Sequence, residues 1–414
     1  MPRSEAPRLA ILGAGPIGLE AALYAAALKL PFTVYERGRV GEHLQHWGHV
    51  RLFTPFAMNV TPLGRARILA ENPRAELPDD NACITGREHV TAYLEPLARS
   101  PLLREHVQLG QTILHVGRKG YLKDDSPGDG KRGQQPFKLV VRDSKNVERI
   151  EEADIVLDCT GTYGRHRYFG EGGVPAVGEK QTAQQVSYRL EDLLGEKKTH
   201  YADKTTLVIG GGYSAATTVV NLAKLAELHP DTWVIWLART AGTTPLKRIT
   251  GDPLRERDQL ALRANTLATR TDGNVEFHNQ SVIEAVEGAW ERGFKVTGRI
   301  GSRPKTWNVE RIIANVGYTP DTDLYRELQI HECYASLGPM ALAAALSKHG
   351  GDCLTIPAQG AATLRNPEPN FYILGMKSYG RSPHFLLKTG FEQVRDVFTL
   401  ITGRADLNLY QERR

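Results

Sequence analysis

Residues 8–18, RLAILGAGPIG, decide the fold of this chain of 414 residues. An apolar run leads directly into a glycine-rich turn, and the helical run LEAALYAAALKL follows the turn. The next apolar run, PFTVYE, ends in an acidic residue, Glu36. The order of strand, glycine turn, helix, strand and acid predicts a βαβ unit that binds a dinucleotide.

Each glycine of the turn GAGPIG at residues 13–18 has its own predicted role. Gly13 permits the tight turn out of the strand, Gly15 lets the backbone approach a pyrophosphate, and Gly18 lets the helix pack closely on the sheet. The amides at the start of the helix then face the phosphates, and the terminal acid accepts hydrogen bonds from ribose hydroxyls. The residues predicted to bind this dinucleotide are Gly13, Gly15, Pro16, Ile17, Gly18, Glu36 and Arg37.

The same unit recurs after residue 204, where the strand TTLVI enters the turn GGGYSA at residues 210–215. The helix TTVVNLAKLAEL follows, and then the strand WVIWLA. Alignment of the second strands puts Ala238 at the position of Glu36, with Arg239 next in the chain. A carboxylate repels a ribose 2′-phosphate, whereas a guanidinium binds it through a bidentate fork. The second unit is therefore predicted to bind NADPH through Gly210, Gly212, Tyr213, Ser214, Ala215 and Arg239.

Two alternatives remain for this phosphate site. Arg239 is also consistent with an ordinary surface charge, and Lys247 and Arg248 follow closely enough to share a 2′-phosphate. The duplication extends further, because each unit is followed by a β-meander and by a strand that ends in a glycine turn. The meander strands are 111–118 and 136–143 in the first half, and 275–288 and 293–300 in the second. Between the first two, KDDSPGDGKRGQQ predicts a long exposed loop.

Composition excludes several classes of protein. The net charge is only +5, and the 52 basic residues are scattered along the chain, so no nucleic-acid surface is predicted. No apolar run reaches the roughly 20 residues that a membrane helix needs, and no signal peptide is evident, so we expect a cytoplasmic protein. The four cysteines, Cys83, Cys159, Cys333 and Cys353, form no CxxC pair and are predicted to be reduced and buried.

The order of these pieces resembles the two-dinucleotide-binding-domain flavoproteins. This group contains flavin-containing monooxygenases, N-hydroxylating monooxygenases and thioredoxin-reductase-like enzymes. The resemblance rests on GAGPIG with Glu36, DCTGTYG at 158–164, GGGYSA with Arg239, and PNFYILG at 369–375. It implies an α/β chain with two Rossmann-like dinucleotide-binding domains, in which an NADPH domain (166–324, with an entry linker) is inserted into a discontinuous FAD domain (1–165 and 325–414).

The resemblance also implies further FAD contacts. Gly161 closes the first part of the FAD domain, and Gly375 begins the last FAD segment. The aspartate that customarily follows this glycine is absent, since Met376 stands there. Lys377, Ser378 or a backbone amide is left to supply the contact to the ribityl chain. The helix FLLKTGFEQVRDVF then begins after His384, with its first amides facing the pyrimidine edge of the flavin.

The stretch GEHLQHWGHVR at residues 41–51 crosses the flavin in the resembled family. Trp47 is predicted to pack against the isoalloxazine or the adenine, and Arg51 to bind an anionic substrate group or the pyrophosphate. The three histidines lack an acid or cysteine that would complete a metal site, so no metal is predicted, and packing roles for the stretch stay open. The predicted catalytic residues are Arg51, Asn59 by analogy with flavin monooxygenases, and His384, for which a capping role is an equal alternative.

The sequence is consistent with three functions. The first is a monooxygenase, which uses NADPH, FAD and O2 to oxygenate a small molecule. The second is a reductase or oxidase, which passes electrons to a quinone, a redox protein or O2, and the third is a flavin-binding protein without turnover. A monooxygenase is preferred, although the segment FGEGGVPA at 169–176 lacks the histidine of the FxGxxxH fingerprint. The missing CxxC weighs against a disulfide reductase, and self-association is left open.

Overall fold

The computed structural model describes residues 6–289, 293–349 and 352–411, and its chain divides into two compact units. Unit 1 takes the chain up to Gln45, then Pro55–Arg165, and resumes at Tyr318. Unit 2 takes His46–Thr54 and His166–Gly317. The short stretch His46–Thr54 therefore groups with unit 2, although the sequence boundaries place it in the first domain.

The strands and helices are numbered in chain order. The strands are β1 (Leu9–Leu12), β2 (Phe32–Glu36), β3 (Val107–Leu109), β4 (Thr112–Arg118), β5 (Phe137–Arg142), β6 (Glu148–Ala153), β7 (Ile155–Asp158), β8 (Thr205–Ile209), β9 (Trp233–Leu237), β10 (Val275–His278), β11 (Ser281–Ala289), β12 (Gly293–Ile300), β13 (Arg303–Val309), β14 (Arg311–Ala314) and β15 (Phe371–Ile373). The α-helices are α1 (Pro16–Ala27), α2 (Glu42–His46), α3 (Pro62–Glu71), α4 (Gly86–His89), α5 (Glu95–Arg99), α6 (Glu179–Thr182), α7 (Lys198–Tyr201), α8 (Tyr213–Leu228), α9 (Arg255–Thr269), α10 (Met340–Leu346) and α11 (Leu387–Thr402). A π-helical turn at Val90–Leu94 joins α4 to α5, and short 3-10 helices include Phe56–Met58, Gly130–Gln134 and Gly375–Tyr379.

Unit 1 is built on a parallel sheet in the order β15-β7-β1-β2-β3, with a separate antiparallel meander β4-β5-β6. Strands β1 and β7 are buried along their whole length, as the continuous apolar runs of the sequence predict. Helix α1 is buried from Ile17 to Ala25, and α11 packs on it through the contact of Gly390 with Ile17. None of the helices in the described part of the chain has the length and apolar character that spanning a bilayer requires.

Unit 2 repeats this plan with a parallel sheet in the order β10-β9-β8-β14 and an antiparallel meander β11-β12-β13. The sequence predicts a single meander strand over residues 275–288. The structure divides it, because β10 pairs in parallel with β9 whereas β11 pairs with β12. In both halves, then, the strand before the meander belongs to the parallel sheet, as β3 does in unit 1. Two Rossmann-like units are confirmed.

The registers of the two parallel sheets match residue for residue at the ends of their strands. In unit 1, Leu12 pairs with Tyr35, so Glu36 is the next residue outward. In unit 2, Ile209 pairs with Leu237, so Ala238 occupies the corresponding position. The alignment that gave Ala238 and Glu36 equivalent positions therefore agrees with the strand pairing, although the helix connections differ in length.

The stretch 46–54 joins unit 2 through an aromatic contact. The ring of Phe53 lies edge-on to the ring of Tyr213, with centroids 5.4 Å apart. Tyr213 is the first residue of α8 and follows the glycine turn directly. A short segment from between β2 and α3 thus packs beside the glycine turn of the second Rossmann unit.

The loop 123–135 is only partly the exposed loop that its sequence predicts. Most of its residues are exposed, but Arg132 is buried and binds Glu368 at 2.8 Å. Arg118 holds the other oxygen of the same carboxylate at 2.8 Å. The main-chain amide of Gln329 also donates to Glu368. A buried cluster of two arginines and one glutamate therefore anchors the loop to the body of unit 1.

A second buried polar cluster surrounds Glu20 of α1. Its carboxylate accepts hydrogen bonds from Thr61 Oγ1 at 3.0 and 3.1 Å, and Thr61 in turn contacts the hydroxyl of Tyr93. Burial raises the pKa of Glu20 from 4.5 to about 7, and hydrogen bonds from Thr61 and Tyr410 oppose this shift. The carboxyl group therefore changes charge near neutral pH inside the folded protein.

This cluster predicts a pH-dependent stability. Because the folded pKa of Glu20 exceeds the unfolded value, its contribution to stability is complete below pH 4.5 and is lost as pH rises through about 7. We expect Glu20→Gln, which keeps the side-chain shape, to be more stable than wild type at about pH 8 by several degrees in Tm. At about pH 5 the advantage should vanish. Thermal unfolding of both proteins at the two pH values checks this, and an equal difference at both would contradict it.

Candidate functional site

The glycine turn of unit 1 is tight on one side and open on the other. Gly13 has a φ of +100°, and its amide donates to the carbonyl oxygen of Tyr35 at 2.8 Å. A Cβ on Gly18 would collide with the carbonyl oxygen of Gly13, so this glycine lets the start of α1 lie close to the turn that follows β1. A Cβ on Gly15 would have nothing within 4 Å. The turn thus leaves open the one position at which a phosphate must approach the backbone.

The amino end of α1 borders this open space. Its N-cap residue is Gly15, no described side chain caps its amides, and Pro16 occupies the first turn. Such an end offers unpaired N–H groups and the positive end of the helix dipole to an anion.

Glu36 lies at the strand end that faces the same turn. One carboxylate oxygen accepts from the amide of Ala14 at 2.8 Å, and the other accepts from the amide of Gly38 at 2.8 Å. Burial raises the pKa of Glu36, and these two hydrogen bonds oppose the shift. A carboxylate has about four acceptor sites, so ribose hydroxyls can still bind. Arg37 is exposed, and its guanidinium approaches Gly164 of the DCTGTYG segment.

Two further turns border the glycine turn. A Cβ on Gly13 would lie 3.0 Å from the carbonyl oxygen of Cys159, just before Gly161, which has a φ of +70°. A Cβ on Gly375, with a φ of +69°, would lie 3.1 Å from the side chain of Ile17. The structure therefore brings Gly161 and Gly375 to the predicted FAD turn, although neither contact is local in the sequence.

The side chains considered as replacements for the absent aspartate have partners inside the protein. Lys377 Nζ donates to Asp158 at 2.6 Å and to Thr160 at 3.1 Å. The Ser378 hydroxyl donates to the carbonyl oxygen of Gly375, and the Gly375 amide donates to Gln393. The DCTGTYG motif contains Asp158, but the sequence predicts no role for it. No local signal links it to Lys377, which lies 219 residues further along the chain.

The predicted catalytic residues lie in different settings. Asn59 is buried in unit 1, and its amide donates to the carbonyl oxygen of Pro55 at 3.1 Å. His384 is exposed in unit 1, and its Nδ1 lies 3.3 Å from the hydroxyl of Ser382. Arg51 is exposed and Trp47 half-buried, and both belong to unit 2. The four residues are therefore divided between the two units.

The glycine turn of unit 2 has the same construction. The Gly210 amide donates to the carbonyl oxygen of Leu237 at 2.9 Å, as Gly13 does to Tyr35. A Cβ on Gly212 would have nothing within 4 Å, and α8 begins there without a capping side chain. Ala215 is fully buried at the position that corresponds to Gly18. The open position of the turn is thus retained where a second pyrophosphate would approach.

The strand end beside this turn carries no acid. Ala238 is buried, and its Cβ would lie 3.6 Å from a Cβ on Gly211. Arg239 is exposed, and no ion pair of its guanidinium is found among the described residues. Arg248, by contrast, forms a bidentate pair with Asp258 at 2.8 and 2.9 Å. Of the two arginines considered for a 2′-phosphate, only Arg248 is thus committed to a carboxylate of the protein.

The histidines and cysteines considered for metal or thiol chemistry differ in their surroundings. The described residues hold no group of three or more His, Cys, Asp or Glu side chains arranged to bind a metal ion. The ring of His43 lies 5.7 Å from the ring of Tyr163, an aromatic packing contact. Burial and the nearby Asp158 carboxylate raise the pKa of Cys159 well above its usual value, which disfavours the reactive thiolate.

No family model matches the chain, and no curated protein matches its sequence. Solved structures do match over nearly the whole length. A bacillithiol disulfide reductase from Bacillus cereus aligns at 15% identity and a TM-score of 0.69, covering 97% of this chain and 100% of its own. The FAD-bound cadaverine monooxygenase of desferrioxamine biosynthesis from Erwinia amylovora aligns at 14% and 0.63, covering 97% and 95%.

A flavin monooxygenase from Stenotrophomonas maltophilia aligns at 17% identity and a TM-score of 0.59, covering 96% of this chain and 99% of its own. The chain therefore has the two-dinucleotide-binding-domain fold that flavin-dependent reductases and flavin monooxygenases share. The resemblance inferred from the motifs is thus confirmed at the level of the fold. The fold alone does not determine the activity of a chain that adopts it.

Proposed function

We propose that the chain is an oxidoreductase that binds FAD in unit 1 and NADPH in unit 2. The observation that carries this proposal is the pair of equivalent glycine turns, each open at its middle glycine and each at an uncapped helix start. A single chain that holds two dinucleotides has an obvious use for both, because bound FAD accepts a hydride from NADPH and passes its electrons to an acceptor. The matched structures, which include an FAD-bound enzyme, support the same assignment.

Each cofactor has a proposed set of residues. FAD is held by Gly13, Gly15, Pro16, Ile17, Gly18, Glu36, Arg37, Trp47, Gly161 and Gly375, and NADPH by Gly210, Gly212, Tyr213, Ser214, Ala215 and Arg239. The proposed FAD domain is 1–165 with 325–414, and the NADPH domain is 166–324. At the proposed FAD site, uncapped amides bind the pyrophosphate and Glu36 orients a ribose. In addition, the amino end of α11 offers its amides to developing negative charge.

We propose further that the acceptor is O2 and that the substrate is a small molecule, which makes the chain a flavin monooxygenase with Arg51, Asn59 and His384 near the reaction. The matches to two monooxygenases support this choice, as does the absence of a CxxC pair from the sequence. The alternative is a reductase or oxidase, which the match to a bacillithiol disulfide reductase favours.

The acceptor can be tested with isotopically labelled O2. The purified protein should release FAD on denaturation and should be reduced anaerobically by NADPH. Turnover under labelled O2 with a panel of amines, sulfides and ketones should then put label into an organic product, measured by mass spectrometry. If every NADPH consumed is recovered as H2O2 or as a reduced quinone or disulfide, with no label in any organic product, the alternative is correct.

A further inference from the structure

One ion pair of unit 1 is completely buried at the carboxyl end of the parallel sheet. The side chains of Lys377 and Asp158 are both 0% exposed, and Lys377 Nζ lies 2.6 Å from Asp158 Oδ2. The ammonium group also donates to Thr160 Oγ1 at 3.1 Å and lies 5.0 Å from the ring centroid of Tyr325. The second oxygen of Asp158 accepts from the amide and the hydroxyl of Thr160. Every polar group of the pair is thus satisfied.

The pair ties together the two turns that border the GAGPIG turn. Asp158 ends β7 and leads through Cys159 to Gly161, whereas Lys377 follows Gly375 in the 3-10 helix Gly375–Tyr379. The first turn touches Gly13 through the carbonyl oxygen of Cys159, and the second touches Ile17. The ion pair therefore links the Gly161 and Gly375 turns, and the GAGPIG turn lies between them.

Among the described residues of unit 2, no such ion pair lies at the corresponding strand end. Its corresponding strand β14 ends at Ala314, which pairs with Ile209 as Asp158 pairs with Leu12. The next residue, Asn315, accepts from Thr218 and donates to the carbonyl oxygen of Arg189, and both are neutral contacts. A Rossmann strand end of this type thus folds without a buried charge. General stability of the sheet does not explain why unit 1 has one.

Net stability does not account for the pair either. Taking two charges out of water costs about as much as their attraction returns, so a buried pair by itself adds little net stability. The geometry enforced here is that of the turns at the candidate FAD site. We propose that Lys377 and Asp158 are positioning residues for FAD, which lock the Gly161 and Gly375 turns around the pyrophosphate and ribityl part of the cofactor. The proposal rests on the proposed function, in which unit 1 binds FAD.

The test separates FAD affinity from folding stability. Four variants of the full chain are compared with wild type: Lys377→Met, Asp158→Asn, the double variant, and Glu368→Gln as a matched control. Glu368 belongs to the other buried ionic cluster of unit 1 and precedes β15, whereas Lys377 follows it. The dissociation constant of FAD is measured by titrating the apoprotein, and the stability of the apoprotein by chemical denaturation.

Each single variant should be less stable, because it leaves a lone buried charge. The double variant should regain stability, since no lone charge remains, but its turns stay untethered. Its dissociation constant for FAD should therefore exceed that of wild type by about tenfold or more. Glu368→Gln should lose stability while binding FAD within about twofold of wild type.

The double variant keeps the test decisive even if a single variant does not fold. Wild-type affinity for FAD in the double variant would overturn the proposal, and so would an equal loss of affinity in Glu368→Gln, which would mean that affinity merely follows stability. If wild type itself binds no FAD, the proposed function fails instead.

Discussion

Gly15→Val should abolish FAD binding and leave the apoprotein folded. Gly15 has a φ of −81° and a ψ of −175°, which any residue adopts, and a Cβ there would meet no atom within 4 Å. The valine side chain would instead occupy the space in which a pyrophosphate approaches the backbone. Loss of two charge-assisted hydrogen bonds, each contributing about 1.5–3 kcal/mol, predicts an affinity at least about a hundredfold lower. FAD released per mole of purified protein measures the loss.

Two further glycine variants make this result specific. Gly212→Val is the corresponding change in unit 2, where a Cβ is equally free of neighbours. We expect it to keep FAD and to lose reduction by NADPH. Gly117→Val places the same side chain in open space on β4, a strand of the antiparallel meander of unit 1, and should change neither. Full FAD occupancy in Gly15→Val, or FAD loss in Gly117→Val, would contradict the assignment of the first turn.

The parts of the fold that follow from sequence are those whose signal is local. The turn GAGPIG, its helix and Glu36 lie within one short stretch, and each residue type is required by a backbone approach or a hydrogen bond that the stretch itself makes. The second turn follows by the same reasoning, and the strand registers place Ala238 where the alignment put it. Such signals can be recognised in a single sequence because they do not depend on residues that are distant along the chain.

What the sequence does not reveal depends on distant partners. Arg132 lies in a run of loop-forming residues, and nothing in that run indicates that Glu368 buries it. The pairing of Lys377 with Asp158 is hidden for the same reason. The stretch 46–54 was expected to lie in the first domain, but Phe53 packs on Tyr213 in unit 2. Hydrophobic periodicity and motif spacing report local structure, whereas these contacts are decided by how the elements pack.

This difference also explains why cofactor residues are easier to predict than catalytic ones. A phosphate turn is a property of one segment, but a reaction centre combines side chains from several. Asn59 and His384 lie in unit 1, whereas Arg51 lies in unit 2. Their proposed roles depend on the bound cofactors, which is why oxygen labelling, rather than geometry, has to identify the acceptor.

Arg239→Ala should change the nucleotide preference of the protein. Arg239 is exposed directly after the acid-free end of β9, and Ala238 and Thr240 on either side of it border the glycine turn at Gly211. A bidentate contact of its guanidinium with a 2′-phosphate contributes about 1.5–3 kcal/mol, which corresponds to roughly tenfold to a hundredfold in affinity. The apparent constant for NADPH should therefore rise by that factor, whereas the constant for NADH, which lacks the phosphate, should hardly move. Steady-state flavin reduction with each nucleotide measures both.

The maximum rate of flavin reduction should stay near that of wild type, because a contact to the 2′-phosphate is far from the nicotinamide and binds ground and transition states alike. Arg248→Ala is the matched control. Its guanidinium is already held by both oxygens of Asp258, so its removal should leave the preference for NADPH unchanged. Equal losses with NADH and NADPH in Arg239→Ala would show that Arg239 supports the fold. A loss of NADPH affinity in Arg248→Ala as large as that in Arg239→Ala would mean that Arg248 leaves Asp258 to share the phosphate.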